Sequence, residues 1–201
     1  MGLSKPRREE SFSEASGIQT RFAGDLPRLT LMEDKRKLLN HFLAALAYRT
    51  QKALREAPED FGSFRAVEGV RTPAELVRHM ASVLGYARTF FVGGHYWPEP
   101  LASFTEEIER FHEMLGFLGQ HLRAGDALLE GMTEERLLQG PFSDAMTHAG
   151  QLALLRRLAG APVPPENFIV AEIREERLGP DQPAPVSPDK IWPEAPKDWE
   201  G

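Results

Sequence analysis

Residues 72–94, TPAELVRHMASVLGYARTFFVGG, carry the clearest helix signals in the chain. Thr72 is a typical N-cap, Pro73 suits the first helical position, and Glu75 completes a capping box. Apolar side chains then recur every three or four residues, and two glycines follow as a stop signal. The pattern predicts an amphipathic helix from Pro73 to about Val92 with one face on a core.

Three further segments show the same helical spacing of apolar residues. The first helix is predicted to begin near Thr30, as N-cap of a capping box, and to continue until Pro58. The third is predicted over residues 103–123 and the fourth over 140–160, with a short helical turn at 133–138 between them. Four amphipathic helices without an alternating strand pattern predict an all-α fold, a four-helix bundle.

The chain is predicted to have one domain with a tail at each end. Residues 1–28 form a polar N-terminal arm, residues 29–160 the bundle, and residues 161–201 an extended tail. Nine of the sixteen prolines lie in that tail, so it cannot continue as a long helix. Apolar residues such as Trp192 and Trp199 indicate that this proline-rich extension packs on the bundle.

Composition excludes several classes of function. The net charge of −6 and the lack of a long basic run argue against binding to nucleic acid. No run of roughly 20 apolar residues is present, so no membrane span is expected and the protein is predicted to be cytoplasmic. The sequence has no cysteine. Any thiol chemistry must therefore use a thiol from outside the chain.

A carboxylate and an imidazole lie four residues apart on the predicted fourth helix. Residues at this spacing are neighbours on a helix surface, so Asp144 and His148 could hold one cation between them. Leucines continue the same stripe, which places the pair on a face expected to be buried, where a carboxylate needs a cation or several donors. Alternatively, Asp144 is favoured by the helix dipole in the first turn, without any ion.

A third ligand is expected from a histidine on a neighbouring helix. His79, at the edge of the apolar stripe of the second helix, is the first choice, and His112 on the third helix is the reserve. A hydrogen-bonded core histidine is the alternative role for either. Gln151 lies about 60° from the ligand stripe, where it would contact either the site or a neighbouring helix. Arg156 and Arg157 are interpreted as surface or interface charges.

This combination of residues resembles the DinB-like superfamily of metal-binding four-helix bundles, which includes bacillithiol S-transferases and mycothiol-dependent maleylpyruvate isomerases. Members have one histidine on the second helix and two ligands four residues apart on the fourth, commonly written HxxxHxGQ. Residues 148–151, His-Ala-Gly-Gln, match the HxGQ part, and His79 in LVRHM matches the histidine of the second helix. Asp144 stands where the more familiar members carry a histidine. The resemblance covers roughly residues 31–160.

The resemblance implies a divalent metal ion as cofactor, held by His79, Asp144 and His148. Two histidines and a carboxylate are used by zinc, nickel, iron and manganese centres, and zinc or nickel is the first expectation. The resemblance further implies that a small-molecule thiol becomes a thiolate on the metal and attacks an electrophile, as in a transferase or hydrolase. It also implies a homodimer.

Two alternatives to an enzyme remain open at the level of sequence. The chain could be a non-catalytic metal-binding bundle of the stress-response type whose helices and apolar tail serve dimerisation. It could also be a metal-free bundle in which Asp144 and a histidine form a buried ion pair. Outside the DinB-like motifs, the sequence contains no nucleophile with an adjacent base and no phosphate-binding loop.

Overall fold

The computed structural model describes residues 26–186, and their side chains from residue 31 onward. This part of the chain is built from helices, and it contains no β-strand, which confirms the prediction of an all-α fold. None of its helices combines the length and apolar character that a membrane crossing would require. The helices are α1 (Leu26–Leu54), α2 (Pro73–Val92), α3 (Phe104–Ala124), the single turn α4 (Glu134–Leu137) and α5 (Ser143–Leu158).

The four long helices form a bundle in which each one packs against two neighbours. Helix α1 contacts α3 and α5, and helix α2 contacts the same two. Helices α1 and α2, although consecutive in the chain, therefore lie diagonally across the bundle. This arrangement places α2 directly beside α5, which is the predicted fourth helix.

Helices α2 and α3 begin where the sequence predicts. The Thr72 hydroxyl accepts a hydrogen bond from the Glu75 amide at 3.3 Å, and the Glu75 carboxylate accepts one from the Thr72 amide at 2.7 Å. Ser103 and Glu106 form the same reciprocal pair at the start of α3. Each capping box satisfies two amides that have no partner inside the helix.

Helix α1 differs from the prediction at its start. It already includes Leu26, the first residue described, so Thr30 lies inside the helix and the capping box proposed there is wrong. The helix therefore includes residues that were assigned to the polar N-terminal arm.

A buried arginine binds the carbonyls where α1 ends at Leu54. The Arg156 guanidinium donates hydrogen bonds to the carbonyls of Ala53, Arg55 and Glu56 at 3.1, 3.0 and 3.4 Å. Arg156 is only 5% exposed, so of the two roles considered for it the surface charge is wrong, and the residue is a charge at the contact between α5 and the end of α1. A guanidinium has five donors in a fixed fork, which suits a group of free carbonyls at a helix end.

Helix α5 starts three residues later than Gly140-Pro141, where the sequence placed its opening. A wide turn over Leu138–Phe142 leads into it, and Gly140 adopts non-helical angles there (φ −97°, ψ −106°). Regular helix follows from Ser143 to Leu158. Asp144 thus lies in the first turn of α5, with His148 one turn further into the bundle.

Residues 161–186 cross the bundle without regular secondary structure except one short 3₁₀ turn. The carboxylate of Glu166 accepts a hydrogen bond from the Tyr48 hydroxyl at 2.5 Å, and the Asn40 amide donates to the Glu175 carbonyl at 3.2 Å. Leu178 is buried against Gly119, where a Cβ would lie 2.2 Å from its Cδ1 atom. Trp192 and Trp199 lie outside the described residues.

Candidate metal centre

The structure brings His79, Asp144 and His148 together. Oδ1 of Asp144 lies 3.2 Å from Nε2 of His148, and Oδ2 lies 4.0 Å from Nε2 of His79. The two imidazole rings meet edge to face, with 4.8 Å between their centroids. One potential ligand atom from each residue lies within 4.8 Å of the other two. Two helices distant in sequence thus contribute to one cluster.

The packing of α2 on α5 creates this cluster. Asp144 and His148 are four residues apart on α5 and therefore stack on one face. Ala145 and Ala149 are buried beside them, and small side chains allow a neighbouring helix to come close. His79 then faces the pair from the adjacent helix.

Burial is uneven across the cluster. The side chain of His148 is 10% exposed, whereas that of Asp144 is 46% exposed. The prediction that Asp144 is buried is therefore wrong, because the first turn of α5 lies at the mouth of the site. The carboxylate carries no desolvation cost that would by itself demand an ion. The Asp144 carboxylate remains accessible to an ion that arrives from solvent.

Gln151 fixes the orientation of the His148 ring. Its Oε1 atom lies 2.7 Å from Nδ1 of His148. Because an amide oxygen can only accept, Nδ1 donates this hydrogen bond, which leaves Nε2, the atom that faces Asp144, as the ring nitrogen available to an ion. Metal-binding histidines are commonly held in this way by a partner on the second ring nitrogen. Of the two roles considered for Gln151, the structure places it in contact with the site.

His112 does not join the cluster. Its Nδ1 atom donates a hydrogen bond to the Leu178 carbonyl at 2.7 Å, and burial lowers the pKa of the ring. Three other histidines also lie elsewhere: His41 and His95 are exposed, and His121 contacts Asp126. The reserve assignment of His112 as a ligand is thus wrong, since this residue holds the C-terminal segment on α3.

The pKa of His79 is lowered, chiefly by burial and then by the positive charge of Arg71 and by His148. The carboxylate of Asp144 opposes the shift but is the smaller influence. His79 is therefore neutral at physiological pH. A neutral imidazole is the form that binds a metal ion.

The donor atoms suit a divalent ion. Two donors bound at about 2.0–2.1 Å to one tetrahedral ion lie about 3.3–3.4 Å apart. The separation between Asp144 and His148, 3.2 Å, already matches this value. At 4.0 Å from Oδ2 of Asp144, Nε2 of His79 would need to approach by about an ångström to bind the same ion. Three protein ligands leave at least one coordination position open, as in catalytic zinc sites.

A cavity of about 480 Å³ opens beside the cluster, and His79 forms part of its wall. Sequence reasoning missed the other residues of this wall. Glu75, Arg78 and Ser82 share the helical spacing of His79 on α2 and could have been found from that pattern. Arg71 and Trp97 come from connections between helices, where periodicity assigns no face.

Comparison of the chain with protein-family models, with curated proteins and with solved structures finds no match. The case for a function therefore rests on the geometry of the site and on the motifs that the DinB-like resemblance singled out.

Proposed function

We propose that this protein binds one divalent metal ion through His79, Asp144 and His148, as a DinB-like bundle would. One observation carries the proposal. Three ligand atoms from two separate helices converge, and the hydrogen bond from His148 to Gln151 turns the free nitrogen of that ring toward the other two. Two nitrogens and one oxygen are donors that zinc or nickel accepts readily, with iron and manganese as alternatives.

We further propose that the site is catalytic and acts on a thiol supplied from outside the chain. A divalent ion at this position would supply Lewis acidity, lowering the pKa of a thiol or water molecule bound to it. The chain itself provides no thiol, because it has no cysteine. His79 lies on the cavity wall, whereas Asp144 and His148 do not, so a small molecule in the cavity would lie beside one of the three proposed ligands. This arrangement supports a transferase that joins a small thiol to an electrophile, or a hydrolase.

A non-catalytic, dimerising metal-binding bundle is the second candidate. Leu154 and Leu158 are exposed and lie one turn apart on α5. These two side chains would give a second copy of the chain an apolar contact on the outer face of this helix. A homodimer is compatible with either candidate function.

Metal content tests the first part of the proposal. The purified protein, incubated with zinc, nickel, iron(II) or manganese and then desalted, is expected to retain one ion per chain by elemental analysis. His79→Ala, Asp144→Ala and His148→Ala should each reduce retention, whereas the exposed His41→Ala serves as the matched control and should not. Failure of all four metals to remain at a stoichiometric level would refute the metal site.

Turnover separates the two candidates. Metal-loaded protein is mixed with a panel of low-molecular-weight thiols and an alkyl halide acceptor, and loss of thiol is followed over time. The enzyme proposal predicts turnover that requires metal and disappears in His148→Ala. Stoichiometric metal without thiol-dependent turnover would favour the non-catalytic bundle.

A further inference from the structure

Three arginines line the cavity beside His79. Arg65, Arg71 and Arg78 all contribute to its wall, although the chain as a whole has a net charge of −6. Guanidinium groups bind carboxylate and phosphate oxygens through two parallel hydrogen bonds. The approach to the candidate metal centre therefore carries groups suited to an anion.

Of these three arginines, Arg71 is the one without a carboxylate partner among the described side chains. Arg65 contacts the carboxylate of Glu75 at 3.4 Å, and Arg78 lies 3.8 Å from the carboxylate of Glu107. Arg71 forms no ion pair with any residue between 31 and 186, and it is exposed at the start of α2. An incoming anion would not have to displace an existing partner from it.

Trp97 gives the same cavity a flat apolar surface. It is 80% exposed although it lines the wall. The neighbouring Tyr96 anchors this loop on α2, because its ring occupies the space next to Gly85 where a Cβ would lie 2.0 Å from Cδ1. The backbone that carries the indole is thus held at the rim by its neighbour, and an aromatic or otherwise planar group could stack on the exposed ring.

We propose that this cavity binds a small planar molecule through an oxyanion, a carboxylate or phosphate, with Arg71 as the anion-binding residue and Trp97 as the stacking surface. This inference names the substrate class of the metal centre and therefore rests on the proposed function. The anion would be held at Arg71, and the reacting part of the molecule would be directed toward His79. Binding of the anion itself requires no metal.

Glu99 lowers the affinity that the cavity is expected to have for an anion. Its side chain lines the same wall, and its carboxylate forms no hydrogen bond or ion pair within the described side chains. A carboxylate in this position repels an anion and lowers affinity. Removal of its charge should therefore strengthen binding, which gives the proposal a gain-of-affinity test alongside a loss-of-affinity test.

Calorimetric titration with four probes tests the proposal on the full chain. Benzoate and phenyl phosphate combine an oxyanion with a ring, acetate lacks the ring, and benzamide lacks the charge. We expect saturable binding of benzoate or phenyl phosphate, and weaker binding of acetate and benzamide. The better of the first two probes distinguishes a carboxylate from a phosphate substrate. No saturable heat with either aromatic anion would overturn the proposal.

Matched variants locate the site. Arg71→Gln should weaken binding of the aromatic anion at least about tenfold, the effect of losing a charged hydrogen bond. Glu99→Gln should tighten binding, and Arg174→Gln, an exposed arginine on the C-terminal segment, should leave it unchanged. Equal affinities in Arg71→Gln and Arg174→Gln would show that the anion binds elsewhere.

Titration with a chelator present and again after metal loading separates this proposal from the metal proposal. If no metal is retained but benzoate binds through Arg71, the anion site stands and the proposed metal function fails. If metal is retained and neither aromatic anion binds, the metal site stands and the anion site fails.

Discussion

Gln151 accepts a hydrogen bond from Nδ1 of His148 at 2.7 Å, one turn further along α5. This contact decides which ring nitrogen of His148 is free to bind an ion. It also restrains the ring against rotation before any ion arrives. The metal affinity of such a site depends on the residue that hydrogen-bonds to the ligating histidine as well as on the histidine itself.

Replacement of Gln151 by leucine should lower metal affinity about 10–100-fold, as expected for the loss of a group that orients a metal-binding histidine. Competition with a chromogenic chelator measures the dissociation constant. Gln120→Leu, an exposed glutamine on α3, is the control and should leave the constant unchanged. Equal constants for the two variants would mean that Gln151 does not position His148.

Asp144→His should retain the ion, whereas Asp144→Leu should lose it. Histidine offers a nitrogen in the same turn of α5, and the half-exposed position has room for a larger ring. Leucine offers no donor atom. We expect the two variants to differ at least about 100-fold in affinity for zinc, the scale of losing a ligand worth several kcal/mol. If both variants bound zinc equally, the 144 position would not be a ligand.

Folding stability should depend on pH through His112. Burial lowers the pKa of this ring from its ordinary value of 6.5, so the folded state takes up its proton at lower pH than the unfolded state. As pH falls below 6.5, the unfolded state is protonated first and the free energy of unfolding decreases. The decrease is complete below the lowered folded-state pKa.

His112→Asn removes the titrating group and keeps a donor for the Leu178 carbonyl. The free energy of unfolding of this variant, from urea titrations with a chelator present, should fall less than that of the wild type between about pH 7 and about pH 5. His41→Asn, at an exposed position, should behave like the wild type. If the free energy of unfolding fell equally with pH in all three proteins, His112 would not be the group responsible for the pH dependence.

Arg156→Met should destabilise the fold by about 2–4 kcal/mol, because it leaves several carbonyls at the end of α1 without donors. Chemical denaturation measures the change. Arg174→Met, which removes a half-exposed guanidinium from the C-terminal segment, is the control and should change stability by less than about 0.5 kcal/mol. A similar loss in both variants would argue against a capping role for Arg156.

Gly85→Ala and Gly116→Ala should have opposite effects. An added Cβ at Gly85 collides with the Tyr96 ring, so we expect a loss of about 1–3 kcal/mol and a shift of the loop that carries Trp97. At Gly116, in the interior of α3, nothing lies within 4 Å of the added atom. Alanine there should stabilise the protein by about 0.5–1 kcal/mol. Thermal melting of both variants tests the pair.

The sequence predicted the helices and the three clustered residues but not the surroundings of the site. Capping residues act within a few positions, so the starts of α2 and α3 can be derived from the local sequence. Asp144 and His148, four residues apart on one helix, lie on the same face however the helices pack. The burial of Arg156 and the exposure of Asp144 depend on which element lies opposite. The positions of Arg71 and Trp97 on the cavity wall depend on how the loops fold over α2, and no periodic pattern in the sequence encodes that.

The docking of residues 161–186 across the bundle has a consequence for biosynthesis. A ribosome releases all four long helices before it releases this segment. Until the segment arrives, Tyr48 lacks its carboxylate partner, His112 lacks its carbonyl acceptor, and the groove at Gly119 is open. The nascent bundle therefore exposes these polar groups and this groove until residues 161–186 have been translated, and dependence on chaperones should concentrate in that interval.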